Sequence, residues 1–204
     1  MRVLALSPHT DDAEMGAGGY LRKLIEIGVK AHIAAFSIAR ESVPAGFPGD
    51  VLADEARASS VALGTELVLL DYPVRRFPQY RQEILEDLIR LKRELRPEMV
   101  LVHASTDVHQ DHRTVYEEAV RAFKDTTLLG YEMPWNNLEF HAQAIVALRE
   151  EHIEAKIGAL SEYKSQRGRH YANGEFIRGW ARTRGASIGV EYAEAFEVIR
   201  LVLK

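Results

Sequence analysis

Short β-type apolar runs alternate with segments of helical period along the first hundred residues, and this alternation confines the chain to an α/β architecture with a mostly parallel sheet covered on both faces. Val3 to Leu6, Ala31 to Phe36, Leu67 to Leu70 and Met99 to Val102 read as four strands. Gly16 to Gly28, Asp50 to Leu63 and Gln79 to Leu95 carry apolar residues at helical spacing between them. Gly28, Gly64 and Arg96-Pro97 stand where those helices should stop. A fifth strand is expected just before Tyr131, after which the pattern weakens. Phe140 to Leu148 alternates as a strand, Ile153 to Tyr163 is helical, and Ala195 to Leu203 reads as a closing strand. No linker, repeat or low-complexity segment divides the 204 residues, of which 47% are hydrophobic, enough for one sizeable core. The expectation is a single Rossmann-like αβα domain over residues 1–204 with a C-terminal β/α addition.

The composition narrows the chemistry. There is no cysteine, so disulfides, thiolate ligands and cysteine nucleophiles are excluded, and any metal must be held by His, Asp or Glu. The net charge of -4 gives no basic footprint for nucleic acid, although Arg75-Arg76 and the stretch from Lys164 to Arg169 are locally basic. With no long apolar segment and no small-residue cleavage site near the N-terminus, neither secretion nor membrane spanning is supported. A soluble cytoplasmic protein is the expectation, and self-association into a homo-oligomer is left open.

Two clusters carry the chemistry. Ser7-Pro8-His9-Thr10-Asp11-Asp12-Ala13-Glu14 follows the first strand, where α/β proteins place reactive groups. Metal-assisted hydrolysis needs a neutral imidazole, an ionised carboxylate and a base that is not itself a ligand; His9, Asp11 and Asp12 could supply all three. Asp107-Val108-His109-Gln110-Asp111-His112-Arg113 follows the fourth strand. In a doubly wound sheet the carboxyl ends of strands one and four flank the switch point, so His112 can join His9 and Asp12 in a facial triad. Asp111 lies close enough in sequence to orient His109, which is left as a protonatable group beside the metal. Either cluster alone reads equally well as a helix cap or a solvated loop; it is their joint position that favours a site. His32, His103, His141, His152 and His170 lack such company and read as structural or surface residues. Gly16-Ala17-Gly18-Gly19 invites a dinucleotide-binding reading, hence a nucleotide-dependent oxidoreductase, but the full fingerprint spacing is absent. The alternative is that small residues let the first helix pack tightly on the sheet.

Pro8-His9-Thr10-Asp11-Asp12 followed by Gly18-Gly19, and later His109-Gln110-Asp111-His112, resemble the two signature motifs of the PIG-L/LmbE-like family of zinc-dependent N-acetylglucosamine deacetylases. Lys156 to Gln166 and Tyr192-Ala193-Glu194-Ala195-Phe196 resemble later segments of the same family. The resemblance implies zinc on His9, Asp12 and His112, with iron(II) or another divalent ion also suited to that donor set. It implies Asp11 as general base, and His109, charged and held by Asp111, as the group that steadies the oxyanion or protonates the departing amine. Tyr192 is a further oxyanion donor by the same analogy. Two departures stand out: Thr10 replaces the usual proline, and Ser37-Ile38-Ala39-Arg40-Glu41-Ser42 replaces a Gly- and Glu-containing substrate loop. Arg40 could clasp an anionic part of a substrate, or pair with Glu41 or Glu55 in a solvated loop. Trp135, within Tyr131 to Asn137, could stack on a sugar face or simply pack at a loop, and Pro44 to Asp50 is either a mobile lid or a passive loop. The function expected is removal of an N-acetyl group from an amino sugar or sugar conjugate, with a non-sugar N-acyl substrate as the alternative.

Overall fold

The computed structural model describes residues 1–203 and contains a seven-stranded sheet with six α-helices among those residues. In chain order the elements are β1 (Arg2–Ser7), α1 (Asp12–Glu26), β2 (Lys30–Ala35), α2 (Val51–Leu63), β3 (Glu66–Leu69), α3 (Arg81–Leu95) and β4 (Met99–His103). They continue as α4 (Gln110–Ala122), β5 (Thr127–Tyr131), β6 (Ala144–Leu148), α5 (Glu150–Ser161), α6 (Gly174–Ala186) and β7 (Tyr192–Arg200). The strand order is β3-β2-β1-β4-β5-β7-β6. β1 to β5 pair in parallel, whereas β7 runs antiparallel to both β5 and β6. The order reverses at β1, so the carboxyl ends of β1 and β4 open a crevice between them.

Both faces of β1 are apolar because both are covered, and the two-residue period sorts them. Val3 and Ala5 join Leu21, Leu63 and Ile153 on the side of α1, α2 and α5. Leu4 and Leu6 join Leu88, Val115 and Ala119 on the side of α3 and α4. Among the described residues no helix is long and apolar enough to cross a membrane.

The glycine run lies inside α1 and serves packing. A Cβ on Gly16 would overlap the ring of Tyr131, and one on Gly19 would lie 2.5 Å from Leu148 Cδ1. Gly16→Ala is therefore expected to cost about 1–3 kcal/mol of stability, read as a lower thermal midpoint; an unchanged midpoint would mean that Tyr131 has room to move.

The strands and first three helices fall where the sequence places them, within a few residues. α1 begins at Asp12, four residues earlier than Gly16, because its first turn is the acidic cluster itself. β6 starts at Ala144 instead of Phe140, and β7 spans Tyr192–Arg200 instead of 195–203. α4 and α6 were not anticipated. α4 buries Val115, Ala119 and Ala122 as a helical stripe, but its start is the polar cluster from His109. In α6, Gly174, Gly179 and Gly185 dilute the helical signal.

Candidate active site

The turn after β1 is held from both ends. Ser7 Oγ donates to the His9 carbonyl at 2.6 Å and accepts the Ala13 N–H at 3.0 Å. The His9 N–H reaches Asp12 Oδ2 at 2.8 Å, and the Tyr163 hydroxyl donates to the Thr10 carbonyl at 2.5 Å. Asp11 occupies the N-cap position of α1, yet its side chain makes no capping hydrogen bond. Its carboxylate faces the cavity, with Arg169 Nη1 3.8 Å from Oδ2.

The turn after β4 is built around Asp107. Its carboxylate accepts the His109 N–H at 2.8 Å and contacts His112 Nδ1 at 2.8 Å. His112 thus carries its proton on Nδ1 and keeps Nε2 free. Asp111 does the same for His9: Oδ2 lies 3.1 Å from His9 Nε2, leaving Nδ1 free, and the carboxylate also accepts the N–H groups of Arg75 and Phe77. The expected pairing of Asp111 with His109 is not formed. Instead His109 Nδ1 accepts the backbone N–H of Asp111 at 3.2 Å and caps α4.

The free donor atoms converge. His9 Nδ1 is 3.3 Å from Asp12 Oδ2 and 3.2 Å from His112 Nε2, and the third edge, from His112 Nε2 to Asp12 Oδ2, is 3.5 Å. A tetrahedral ion with ligands at about 2.0–2.1 Å needs edges of about 3.3 Å. His9, Asp12 and His112 therefore fit a divalent ion in donor type, tautomer and spacing.

The electrostatics of the metal-free protein follow from this crowding. Burial opposes a charge on His9, but the carboxylates of Asp12 and Asp111 outweigh it and raise the imidazole to about 10. Burial would likewise raise Asp12, yet His112 and His9 hold it well below the usual carboxylate range. Asp11 goes the other way: burial, then the neighbouring Asp12 charge, raise it. Burial, then His112 and His9, push His109 down to about 4, so the imidazolium expected there is replaced by a neutral ring.

His9, Asp11, Asp12, His109 and His112 line one cavity, and Trp135 stands at its rim, stacked on Tyr171 with ring centroids 4.0 Å apart. Two expected substrate contacts lie elsewhere. Arg40 Nη1 grips both oxygens of Asp71 at 2.5 Å and does not line the cavity. Tyr192 opens β7 as a buried ring whose hydroxyl accepts from Arg182 at 3.0 Å, also off the cavity wall. The arginines that line the cavity are Arg75 and Arg169, which the sequence shows only as members of basic stretches. His103, which reads from the sequence as a structural or surface residue, ends β4 fully buried, its ring centroid 3.7 Å from that of His112 with the planes tilted by 31°. The signal was its position, since the last residue of a strand beside β1 points into the same switch point.

The family described as PIG-L: GlcNAc-PI de-N-acetylase matches residues 4–123. The uncharacterized deacetylase YaiS of Escherichia coli (strain K12) is 31% identical over 171 residues, covering 80% of this chain and 90% of that protein. The fold is similar to that of N,N'-diacetylchitobiose deacetylase from Pyrococcus horikoshii, with a TM-score of 0.81, 23% identity, and 97% of this chain and 83% of that one covered. It is also similar to GalB, the 4-carboxy-2-hydroxymuconate hydratase of Pseudomonas putida KT2440, with a TM-score of 0.80, 19% identity, and 100% and 98% covered. The architecture alone thus accommodates more than one reaction, and only sequence and site distinguish them. With the family match spanning more than half of its length and a deacetylase relative across most of it, the chain belongs to the PIG-L family and is a hydrolase of amide bonds.

Proposed function

We propose that this protein removes the acetyl group from an N-acetylated amino sugar or sugar conjugate, using a divalent ion held by His9, Asp12 and His112. Zinc is the first choice and iron(II) the alternative, since imidazole and carboxylate suit both. The observation that carries the reading is the convergence of three oriented donor atoms beside a carboxylate, Asp11, that is tied to none of them. When bound, the ion supplies Lewis-acid polarisation of the acyl carbonyl and of the attacking water.

The chain's own groups supply the rest. Asp11 accepts a proton from water as the new C–O bond forms, a task suited to a carboxyl whose affinity for protons is raised. His109, its Nδ1 occupied by a backbone N–H, carries its proton on Nε2 and serves as a neutral donor to the developing oxyanion. As the C–N bond breaks, the proton on Asp11 passes to the departing nitrogen, and acetate and a free amine leave. Asp111 and Asp107 fix the rings of His9 and His112 and act as positioning residues.

The rim fits a saccharide. Trp135 is 41% exposed and offers a flat apolar face, while Asn136, Gln166, Arg75 and Arg169 bring hydrogen-bond donors to its edge. The reading places this chemistry in the cytoplasm, on a small diffusible substrate, without a nucleic-acid partner. Acetate release from a panel of N-acetylated sugars, sugar phosphates, nucleotide sugars and glycosides tests it, with N-acetyl amino acids as a comparison. Turnover of at least one sugar that falls on Trp135→Ala mainly through KM is expected. Acetate released only from the amino acids would replace the sugar by a non-sugar amide.

A further inference from the structure

Behind the donor atoms of the cavity lies a second, buried arrangement that the reaction above does not use. The Tyr131 hydroxyl is 2.7 Å from the Leu6 carbonyl, which only accepts, so its proton points there. The 3.1 Å contact between that hydroxyl and His103 Nδ1 must then be donated by the ring. His103 Nε2 is left as a bare lone pair, in a side chain with no exposed surface, and has no hydrogen-bond partner among the described residues. It looks toward Asp12 Oδ1 at 3.9 Å, the oxygen that the triad of His9, Asp12 and His112 does not call on.

A lone pair with no access to water that faces a carboxylate oxygen is repelled by it unless something positive lies between them. An imidazole whose other N–H is fixed by a hydroxyl, itself anchored to a backbone carbonyl, is in the tautomer that metal ligands adopt. Candidate ligand atoms of Asp12, His103 and His112 all lie within 4.8 Å of one another. We propose that His103, Asp12 and His112 form an inner seat for a divalent cation, alternative to the outer seat of His9, Asp12 and His112.

His112 has one free nitrogen, so the two seats exclude each other. Only the outer one is made entirely of residues on the cavity wall; the inner one draws on His103, which is off that wall and has no exposed surface. The inner seat is a holding position that retains the ion when His9 lets go. This inference rests on the reading of His9, Asp12 and His112 as metal ligands, and its test separates the two.

Metal-stripped full-length protein is titrated with zinc calorimetrically as wild type, His9→Ala, His103→Phe and the double variant. His9→Ala removes only the outer seat and is expected still to bind one zinc per chain, weakened by about 100-fold at most. Adding His103→Phe is expected to weaken that residual binding by at least about 10-fold more. Nitrogen-15 histidine spectra of His9→Ala, where His103 is native, give a second measurement independent of how the Phe variant folds. There, His103 Nε2 is expected to carry no proton before zinc and to shift on its addition. Identical zinc binding by His9→Ala and the double variant, no binding by His9→Ala, or a proton on His103 Nε2 in the metal-free protein would each overturn the inner seat. A wild type that binds no zinc would overturn the outer seat with it.

Discussion

Asp11→Asn is expected to lower turnover by about 10²–10⁴-fold while leaving the bound metal at the wild-type level. The carboxylate caps nothing in α1 and stands outside the three donor atoms that converge, and Arg169, at 3.8 Å, is its ion-pair partner. Removing its charge therefore takes away a proton acceptor without opening the triad. Protonation of the same carboxylate sets the acid side of the pH profile. Burial, and then the charge of Asp12, raise Asp11 above its ordinary value of 3.8, and a base works only when deprotonated. The rate is thus expected to climb with pH through an apparent value above 3.8, and Asp11→Asn should flatten that limb. Turnover within about 10-fold of wild type, or metal lost together with activity, would return Asp11 to a structural role.

The legibility of this site in the sequence has a physical limit that Asp111 illustrates. The alternation of strands and helices was enough to bring His9, Asp12 and His112 together, because strand order decides which loop ends meet. Nearness along the chain was a poor guide to what each side chain then touches. His109 and Asp111 stand two positions apart at the start of α4, so their side chains leave on opposite sides, and Asp111 turns to His9 instead. His109 and His112, three apart, share a face and lie 4.4 Å ring to ring. Arg40 and Arg75 show the other limit. Arg40 opens a single 3-10 turn and Arg75 sits in a loop, where no period says which way a long side chain points, and only the fold puts Arg75 rather than Arg40 on the cavity wall. The buried His103 was masked by its surroundings, since a histidine closing the run from Met99 reads as the end of a core strand.

Asp12→Ala is expected to abolish metal binding, a larger loss than His9→Ala brings, because Asp12 serves the outer triad through Oδ2 and faces His103 through Oδ1. Asp107→Asn, which meets the far side of His112 and the His109 N–H but none of the three donor atoms, should weaken binding by about 10–100-fold and no more. The metal must also displace a proton. In the metal-free protein His9 is raised to about 10, so at neutral pH it is an imidazolium held between Asp12 and Asp111. That raised value stabilises the metal-free fold below the ordinary 6.5 and loses the contribution as pH climbs through about 10. Binding requires the neutral ring, so zinc affinity is expected to rise by up to about tenfold per pH unit between 7 and 9, with about one proton released. Calorimetry of zinc binding in buffers of different ionisation enthalpy counts that proton directly. If no proton is released at pH 7, His9 is not an imidazolium whose proton the metal displaces; if Asp12→Ala and Asp107→Asn lose metal equally, the division between ligand and positioning carboxylates fails. If the proton appears and vanishes in His9→Ala, its source is the imidazole between the two carboxylates.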